Sequence, residues 1–238
     1  MLEYVLPGEI EKRSFEIIGE ELATRGSVLR DDQAPVTMRV IHTSADFDYA
    51  ETMCYSQDAV EKAKALIRAG ADIVTDTNMA LAGINKKALA KHGGQAYCFM
   101  ADEAVAAEAK ERGLTRAAVS MEHAARLCQK TGKPMIFAVG NAPTALIRLH
   151  EMMQLYELHR SQEPEQLHKP ESLRERKEGD GFWPDFIIGV PVGFVNVEAA
   201  KELILTSNVP YIVNRGRKGG SNVAAAICNA LLYELGRE

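Results

Sequence analysis

The chain has 238 residues, of which 46% are hydrophobic, and its 28 Lys and Arg against 33 Asp and Glu give a formal net charge of −5. That length and composition exclude a disordered chain and predict one large folded domain, while the mildly acidic balance argues against nucleic-acid binding. We find no apolar run of roughly 18 residues, no signal-peptide pattern at the start and no CxxC pair among the four cysteines, so we expect a cytoplasmic protein without membrane spans or a zinc site.

Apolar residues recur along the chain with periods that predict alternating helices and strands. In chain order the pattern predicts a helix over 9–25, a strand over 36–42, a helix over 57–69, a strand over 71–75, a helix over 80–91, a strand over 95–99, helices over 102–112 and 115–130, and then strand–helix pairs over 134–139 and 143–160, 186–190 and 197–207, and 210–214 and 221–235. Repeated units of this kind predict an α/β fold with a mostly parallel sheet flanked by helices on both faces. We expect a single domain over 1–238.

One segment, at about 161–184, interrupts this alternation. It is rich in charged residues and contains three prolines, which favours a flexible, solvated loop. An alternative interpretation is a lid over the functional site, with Phe182 and Trp183 as its packing anchors.

His42 is the strongest single candidate for chemistry. The strand predicted over 36–42 ends at this histidine, and Thr43 and Ser44 follow it. Histidine is the side chain that titrates near pH 7 without perturbation, and ligand sites in open α/β sheets form just past the carboxyl ends of strands. We therefore interpret His42 as a proton donor and acceptor. The alternative is a structural histidine that caps the next turn.

Four further polar or glycine-rich clusters also follow predicted strands. They are Asp76–Met79, Gly140–Thr144, Gly189–Phe194 and Asn214–Ser221. In a parallel sheet such loops converge on the edge where substrates bind, so the five clusters together predict one site. The helix start near Asn141 is further expected to offer backbone N–H groups to a carboxylate. Helix capping and ordinary turns would explain each cluster taken alone.

The last of these clusters is the most specific. Arg215, Arg217 and Lys218 lie beside Gly219 and Ser221 at a strand-to-helix junction. Three cations, flexible backbone and a helix start predict a site for a small anionic ligand. The spacing is not that of a P-loop, no GxGxxG follows an early strand, and no histidine pair has metal-ligand spacing. Nucleotide or metal binding is therefore weakly supported.

Six motifs, in order along the chain, resemble the precorrin-8X methylmutase family, which is also called cobalt-precorrin-8 methylmutase. The resemblance runs from about Ile10 to Leu235. The motifs are Ile10–Phe15, Arg39–Asp46, Thr75–Met79, Gly140–Leu146, Gly189–Val195 and Arg217–Ser221. The segment at 161–184 is longer and more charged than the resemblance would suggest.

The resemblance implies an isomerase of cobalamin biosynthesis that moves a methyl group from C-11 to C-12 of precorrin-8X or cobalt-precorrin-8, giving hydrogenobyrinate or cobyrinate. It implies a cytoplasmic homodimer that uses no cofactor and binds no metal of its own, since any cobalt would arrive inside the substrate. His42 matches the family's catalytic histidine. From the resemblance and the clusters together, the expected substrate-binding residues are Ser14, Arg39, Thr43, Ser44, Asn78, Met79, Arg116, Asn141, Arg215, Arg217, Lys218, Gly219 and Ser221.

Two other classes stay open at this point. One is a Rossmann-like nucleotide-dependent enzyme, which the missing glycine fingerprint disfavours. The other is a noncatalytic tetrapyrrole carrier, which turnover alone would distinguish from the isomerase. The sequence does not indicate whether the substrate already carries cobalt.

Overall fold

A computed structural model of the protein describes residues 4–162 and 181–236. The helices are α1 Ile10–Thr24, α2 Ala34–Ser44, α3 Tyr49–Thr52, α4 Ala59–Arg68, α5 Asn78–Gly83, α6 Lys86–Ala90, α7 Glu103–Arg112, α8 Arg116–Thr131, α9 Pro143–Gln162, α10 Val197–Leu205 and α11 Ser221–Leu235. The strands are β1 Met53–Tyr55, β2 Asp72–Thr75, β3 Ala96–Tyr97, β4 Met135–Val139, β5 Phe186–Gly189 and β6 Tyr211–Asn214.

Within the described residues, six strands form one sheet in the order β1-β6-β5-β4-β2-β3. β1 pairs antiparallel with β6, and the other neighbouring pairs are parallel. The chain runs from β2 outwards to β3 on one side, and from β4 to β5 and β6 on the other. The winding therefore reverses between β2 and β4, and such a switch point opens a crevice at the carboxyl ends of the two strands, where ligands bind in open α/β folds.

Helices cover both faces of the sheet. One core joins α2, α4 and α11 to strand residues that include Ile136 and Phe186, and the other joins α8, α9 and α10 to the adjacent Phe137 and Ile187. Neighbouring strand residues enter opposite cores because side chains alternate along a strand. The predicted α/β fold, with a mostly parallel sheet flanked by helices on both faces, is confirmed.

The strand predicted over 36–42 is wrong, because these residues belong to helix α2. Its β-branched residues favour a strand by composition. However, the buried Val36 and Val40 lie four residues apart, and Pro35 occupies the first turn, both of which are helix signals. α2 packs on a face of the sheet against α11 instead of entering the sheet. His42 therefore lies in the last turn of a helix.

Two smaller differences concern a predicted helix that is divided in two and a strand that was not predicted. The helix predicted over 80–91 is two helices, α5 and α6, because Asn85 separates them and its side chain accepts the Ala88 N–H at 3.0 Å to cap α6. The edge strand β1 was not predicted, since three residues are too few to show a period.

The predicted loop at about 161–184 lies mostly outside the described residues, so its lid role stays a prediction. Phe182, at its described end, is buried with its ring 5.6 Å from that of Phe137. Trp183 packs against the same core, and its ring lies 6.0 Å from that of Tyr156.

In the described part of the chain, we find no helix with the length and apolar character that crossing a membrane requires.

Candidate active site

Four of the five predicted clusters, those after β2, β4, β5 and β6, converge at the carboxyl edge of the sheet, and hydrogen bonds connect them. The fifth, at His42, follows no strand because it ends helix α2. The Gly220 N–H donates to the Val190 carbonyl oxygen at 2.9 Å, and the hydroxyl oxygens of Thr77 and Ser221 are 2.8 Å apart. A Cβ atom on Gly140 would lie 2.8 Å from the Gly220 carbonyl oxygen, so the loop after β4 touches the start of α11 directly. We call the surface formed by these four loops the carboxyl edge.

Asp76 closes the switch-point crevice between β2 and β4. This residue is fully buried, and its carboxylate accepts the backbone N–H groups of Gly140, Asn141 and Ala142 at 2.9, 2.8 and 2.6 Å. These groups lie at the start of α9 and would otherwise attract an external anion. Burial raises the pKa of Asp76, an effect that the three hydrogen bonds oppose.

The prediction that backbone N–H groups near Asn141 hold a substrate carboxylate is wrong for these three groups, because an internal carboxylate already accepts them. The Asn141 side chain itself is exposed, as is that of Asn78. Met79 is 72% exposed. These three side chains stay candidates for substrate contact at the rim of the closed crevice.

His42 is exposed at the end of α2, and its ring centroid lies 5.4 Å from that of Phe15 in α1. The helix ends at Ala45, which adopts a left-handed conformation with φ of 52°. The Ser44 hydroxyl donates to a backbone carbonyl oxygen of its own helix at 2.8 Å, whereas Thr43 is exposed. The ring of His42 is thus accessible, although no strand of the sheet positions it.

The Arg39 guanidinium is already engaged inside the protein. It donates to both carboxylate oxygens of Glu11 at 3.0 and 2.9 Å, and its central carbon lies 4.8 and 5.0 Å from the ring centroids of Phe15 and Tyr233. The nearby Ser14 hydroxyl donates to a backbone carbonyl oxygen at 2.8 Å. Arg39 lines a cavity of about 650 Å³ between α1, α2 and α11, and the residues that line it do not include the four loops of the carboxyl edge.

The two arginines of the loop after β6 are each paired with a glutamate of α10. Arg215 Nε lies 3.3 Å from the Glu202 carboxylate, and Arg217 Nε lies 3.1 Å from that of Glu198. All four side chains are more than half exposed. Because water screens such pairs, they contribute little to stability, and an anionic ligand is able to take the place of the glutamates.

Lys218 is held by two carboxylates. Its ammonium donates to Asp46 and Asp48 at 2.6 Å each, and the hydrogen bond to Asp46 raises the pKa of Lys218 and lowers that of Asp46. Both aspartates follow α2 directly, so this bridge connects the helix that carries His42 to the carboxyl edge. Sequence reasoning missed the bridge because its ends lie at least 170 residues apart.

A buried lysine that the sequence analysis also missed supports the loop from beneath. Lys201 of α10 is fully buried, and its ammonium donates to the carbonyl oxygens of Gly216 and Lys218 at 2.7 Å each. Burial lowers the pKa of Lys201 to about 8, and the charge of Glu198 partly opposes this shift. The sequence signal for this buried lysine is its position beside Ala200, on the apolar side of the helix predicted over 197–207.

Arg116 lies at the start of α8 and is exposed. The preceding Thr115 accepts the Ala118 N–H to cap this helix, and its hydroxyl oxygen lies 2.8 Å from that of Thr144 in the first turn of α9. Arg116 is therefore close to the carboxyl edge.

Among residues 4–162 and 181–236, no group of His, Cys, Asp or Glu side chains is arranged to hold a metal ion.

Large apolar side chains are exposed at the same edge. Phe194 and Val195, after β5, are 82% and 78% exposed, and Met79 lies after β2. The central carbon of the Arg217 guanidinium lies 5.5 Å from the Phe194 ring centroid. Apolar surface beside cationic groups suits a large, flat and negatively charged ligand.

These features define an α/β protein with a candidate ligand surface at the carboxyl edge of its sheet. The precorrin-8X methylmutase family model matches residues 9–161 and 171–234. A cobalt-precorrin-8 methylmutase of Priestia megaterium is 39% identical over 227 residues, which cover 95% of this chain and 88% of that protein. One from Salmonella typhimurium is 38% identical over 235 residues, 96% of each chain. A solved precorrin-8x methyl mutase structure from Thermus thermophilus matches with a TM-score of 0.75, at 33% identity over 94% of each chain.

The chain therefore belongs to the precorrin-8X methylmutase family. It is an isomerase that catalyses the migration of a methyl group within its substrate, as the sequence resemblance implied. This result sets aside the alternative of a Rossmann-like nucleotide-dependent enzyme.

We expect Asp76→Asn to lower the free energy of unfolding by about 2 kcal/mol, because an amide places an NH₂ group against buried backbone donors. Urea denaturation at neutral pH measures the loss. The control is Asp102→Asn, an exposed position before α7 where the side chain makes no capping hydrogen bond, with an expected change within about 0.5 kcal/mol. Equal losses in the two variants would show that the carboxylate does not hold the crevice closed.

We expect Lys201 to make stability rise with pH. Its pKa in the folded state, about 8, lies below the ordinary value of 10.5, so between these values the unfolded state binds more protons than the folded one. Relative to Lys201→Met, the unfolding free energy of the wild type should increase by about 1–3 kcal/mol between pH 7 and pH 10. A difference that stays constant across paired urea titrations would mean that Lys201 keeps its proton throughout.

Proposed function

We propose that the protein moves a methyl group from C-11 to C-12 of precorrin-8X or cobalt-precorrin-8 in cobalamin biosynthesis, giving hydrogenobyrinate or cobyrinate. Its relatives carry the names of these substrates. The observation that carries the proposal is the carboxyl edge, where exposed apolar side chains and two arginines lie side by side. A contracted tetrapyrrole has complementary features, a flat apolar ring system bordered by acetate and propionate carboxylates.

His42 is the proposed proton donor and acceptor. In this isomerisation the bond from C-11 to the methyl group breaks as the bond to C-12 forms, so the product has the same atoms and electrons as the substrate. A proton from the imidazole adjusts the electron density of the conjugated ring and returns after the shift, which is general acid–base catalysis. The exposed ring beside Phe15 is open to a ligand.

Binding in one geometry provides the other part of the rate enhancement. Arg215 and Arg217 exchange their exposed glutamates for substrate carboxylates, which accept paired hydrogen bonds from a guanidinium group. Further substrate contacts are proposed at Ser14, Arg39, Thr43, Ser44, Asn78, Met79, Asn141, Gly219 and Ser221. No cofactor is required, because cobalt, where present, is part of the substrate.

We also propose that the active protein is a cytoplasmic homodimer in which Arg116 contributes to the neighbouring subunit's site. The family resemblance supports the dimer. The exposed position of Arg116 beside the first turn of α9 is compatible with a contact across subunits.

The direct test is anaerobic incubation of the purified protein with precorrin-8X, with and without inserted cobalt, followed by visible absorbance. Methyl migration changes the conjugation, so we expect a new spectrum, and the faster form identifies the substrate. Binding without conversion would support a noncatalytic carrier instead. If the protein neither binds nor converts either form, both the isomerase and the carrier function are refuted.

We expect His42→Ala to keep the fold and the affinity for the macrocycle while it reduces turnover about 100-fold or more, because the proton donor is lost. His92→Ala is the matched control, since this partly buried histidine precedes β3 at the opposite edge of the sheet. It should turn over substrate at the wild-type rate. Near-normal turnover in His42→Ala would remove this residue from the mechanism.

A further inference from the structure

We propose that Lys218 is a positioning residue that fixes the end of α2, and with it His42, against the carboxyl edge. In this proposal it does not act as a clamp for substrate carboxylates. The inference rests on the proposed role of His42. Its basis is the contact of one ammonium with two carboxylates, those of Asp46 and Asp48, in the segment that follows the helix.

The aspartate side of this bridge is fixed by its own local structure. Ala45 ends α2 in a left-handed conformation, the Asp46 N–H donates to the Ser44 hydroxyl at 3.3 Å, and the Asp48 N–H donates to the Asp46 carboxylate at 3.0 Å. These bonds form a tight turn directly after His42. A shift of either carboxylate would therefore move the last turn of α2 with it.

The lysine side is fixed to the sheet. The Lys218 carbonyl oxygen accepts hydrogen bonds from the buried Lys201 ammonium and from the Asn214 side-chain amide, at 2.7 Å each. Asn214 is itself the last residue of β6, and its amide oxygen accepts the Thr52 hydroxyl at 2.6 Å. The backbone of Lys218 is thus held to β6, so its side chain extends towards the segment after α2 from an anchored position.

The His42 end of α2 requires such a contact because it lies outside the sheet. Val36, Val40 and Ile41 bury the body of the helix, but Thr43 and His42 at its end are exposed. A strand holds a catalytic side chain through its ladder of hydrogen bonds, whereas the end of a helix on a sheet face depends on tertiary contacts. The bridge to Lys218 provides one.

A substrate clamp and a positioning residue predict opposite results when the aspartates are neutralised. If Lys218 bound a substrate carboxylate, Asp46 and Asp48 would compete for the ammonium, and Asp46→Asn with Asp48→Asn would lower KM. If Lys218 positions His42, the same change releases the end of α2 and lowers kcat. Lys218→Met would then have the same effect, since it removes the other half of the same bridge.

The experiment compares kcat and KM for wild type, Lys218→Met, the double asparagine variant and the triple variant. We expect kcat to fall on the order of tenfold in all three, because a small misplacement of a catalytic group costs about that much or more. The triple variant should be no worse than Lys218→Met, because one bridge cannot be broken twice. Lys218→Arg, which retains the charge, should restore most of the rate.

Arg126→Met is the matched control, because it removes a similarly exposed cation of α8 that also pairs with two carboxylates, those of Glu108 and Glu122, outside the carboxyl edge. We expect it to leave both KM and kcat nearly unchanged. A fall in KM for the double asparagine variant, together with a raised KM and normal kcat for Lys218→Met, would overturn the positioning role.

A second readout is independent of turnover. In NMR spectra, the Hε1 signal of His42, assigned by its loss in His42→Ala, should shift or broaden in Lys218→Met and in the double asparagine variant, and should stay in place in Arg126→Met. An unchanged signal in the first two variants would refute the positioning role even if the enzyme is active. If the wild type converts no substrate, the proposed function fails, while the NMR result still decides whether the bridge positions His42.

Discussion

A buried carboxylate at the switch point of the sheet is the constraint on which the functional edge depends. In an open α/β fold, the crevice between β2 and β4 is the usual ligand site, and the start of α9 would bind an anion there. Asp76 fills this crevice with a charge from the protein itself and occupies three backbone donors. The proposed ligand surface therefore lies further out, at the exposed side chains after β2 and the loop after β6.

The same carboxylate brings neighbouring loops into contact. Since Asp76 fixes the turn after β2, the next residue, Thr77, caps α5 through the Ala80 N–H at 3.1 Å and also meets the Ser221 hydroxyl at the start of α11. Gly140, whose N–H reaches Asp76, has no room for a Cβ atom because the backbone of Gly220 and Ser221 lies against it. Three loops are thus packed around one buried charge, which gives a rigid base to an otherwise exposed surface.

The sequence predicted the parts of this architecture that depend on local patterns. β2, β4, β5 and β6 are recognisable because strands covered on both faces become short apolar runs, and polar clusters mark their carboxyl ends. α2 was misread because Val36, Val40 and Ile41 satisfy two patterns at once, the composition of a strand and the spacing of a helix. Pro35 was the signal that should have decided between them. The error matters for function, since it changes what holds His42 in place.

The ion pairs of the carboxyl edge could not be predicted from the sequence. Arg215, Arg217 and Lys218 read as three equivalent cations, but the arginines pair with glutamates of the preceding helix α10, whereas Lys218 pairs with aspartates at least 170 residues away. Local spacing does not reveal this difference. Together these three face four carboxylates, so within the described loops the edge is not cationic before a ligand arrives. Its affinity for an anion must come from exchange, in which the exposed glutamates give way. The two arginines allow that exchange because their pairs are weak in water. Lys218 is itself 47% exposed, but it meets two carboxylates at once and its backbone is held by Lys201 and Asn214. The proposed division of the loop into binding arginines and a positioning lysine depends on this difference.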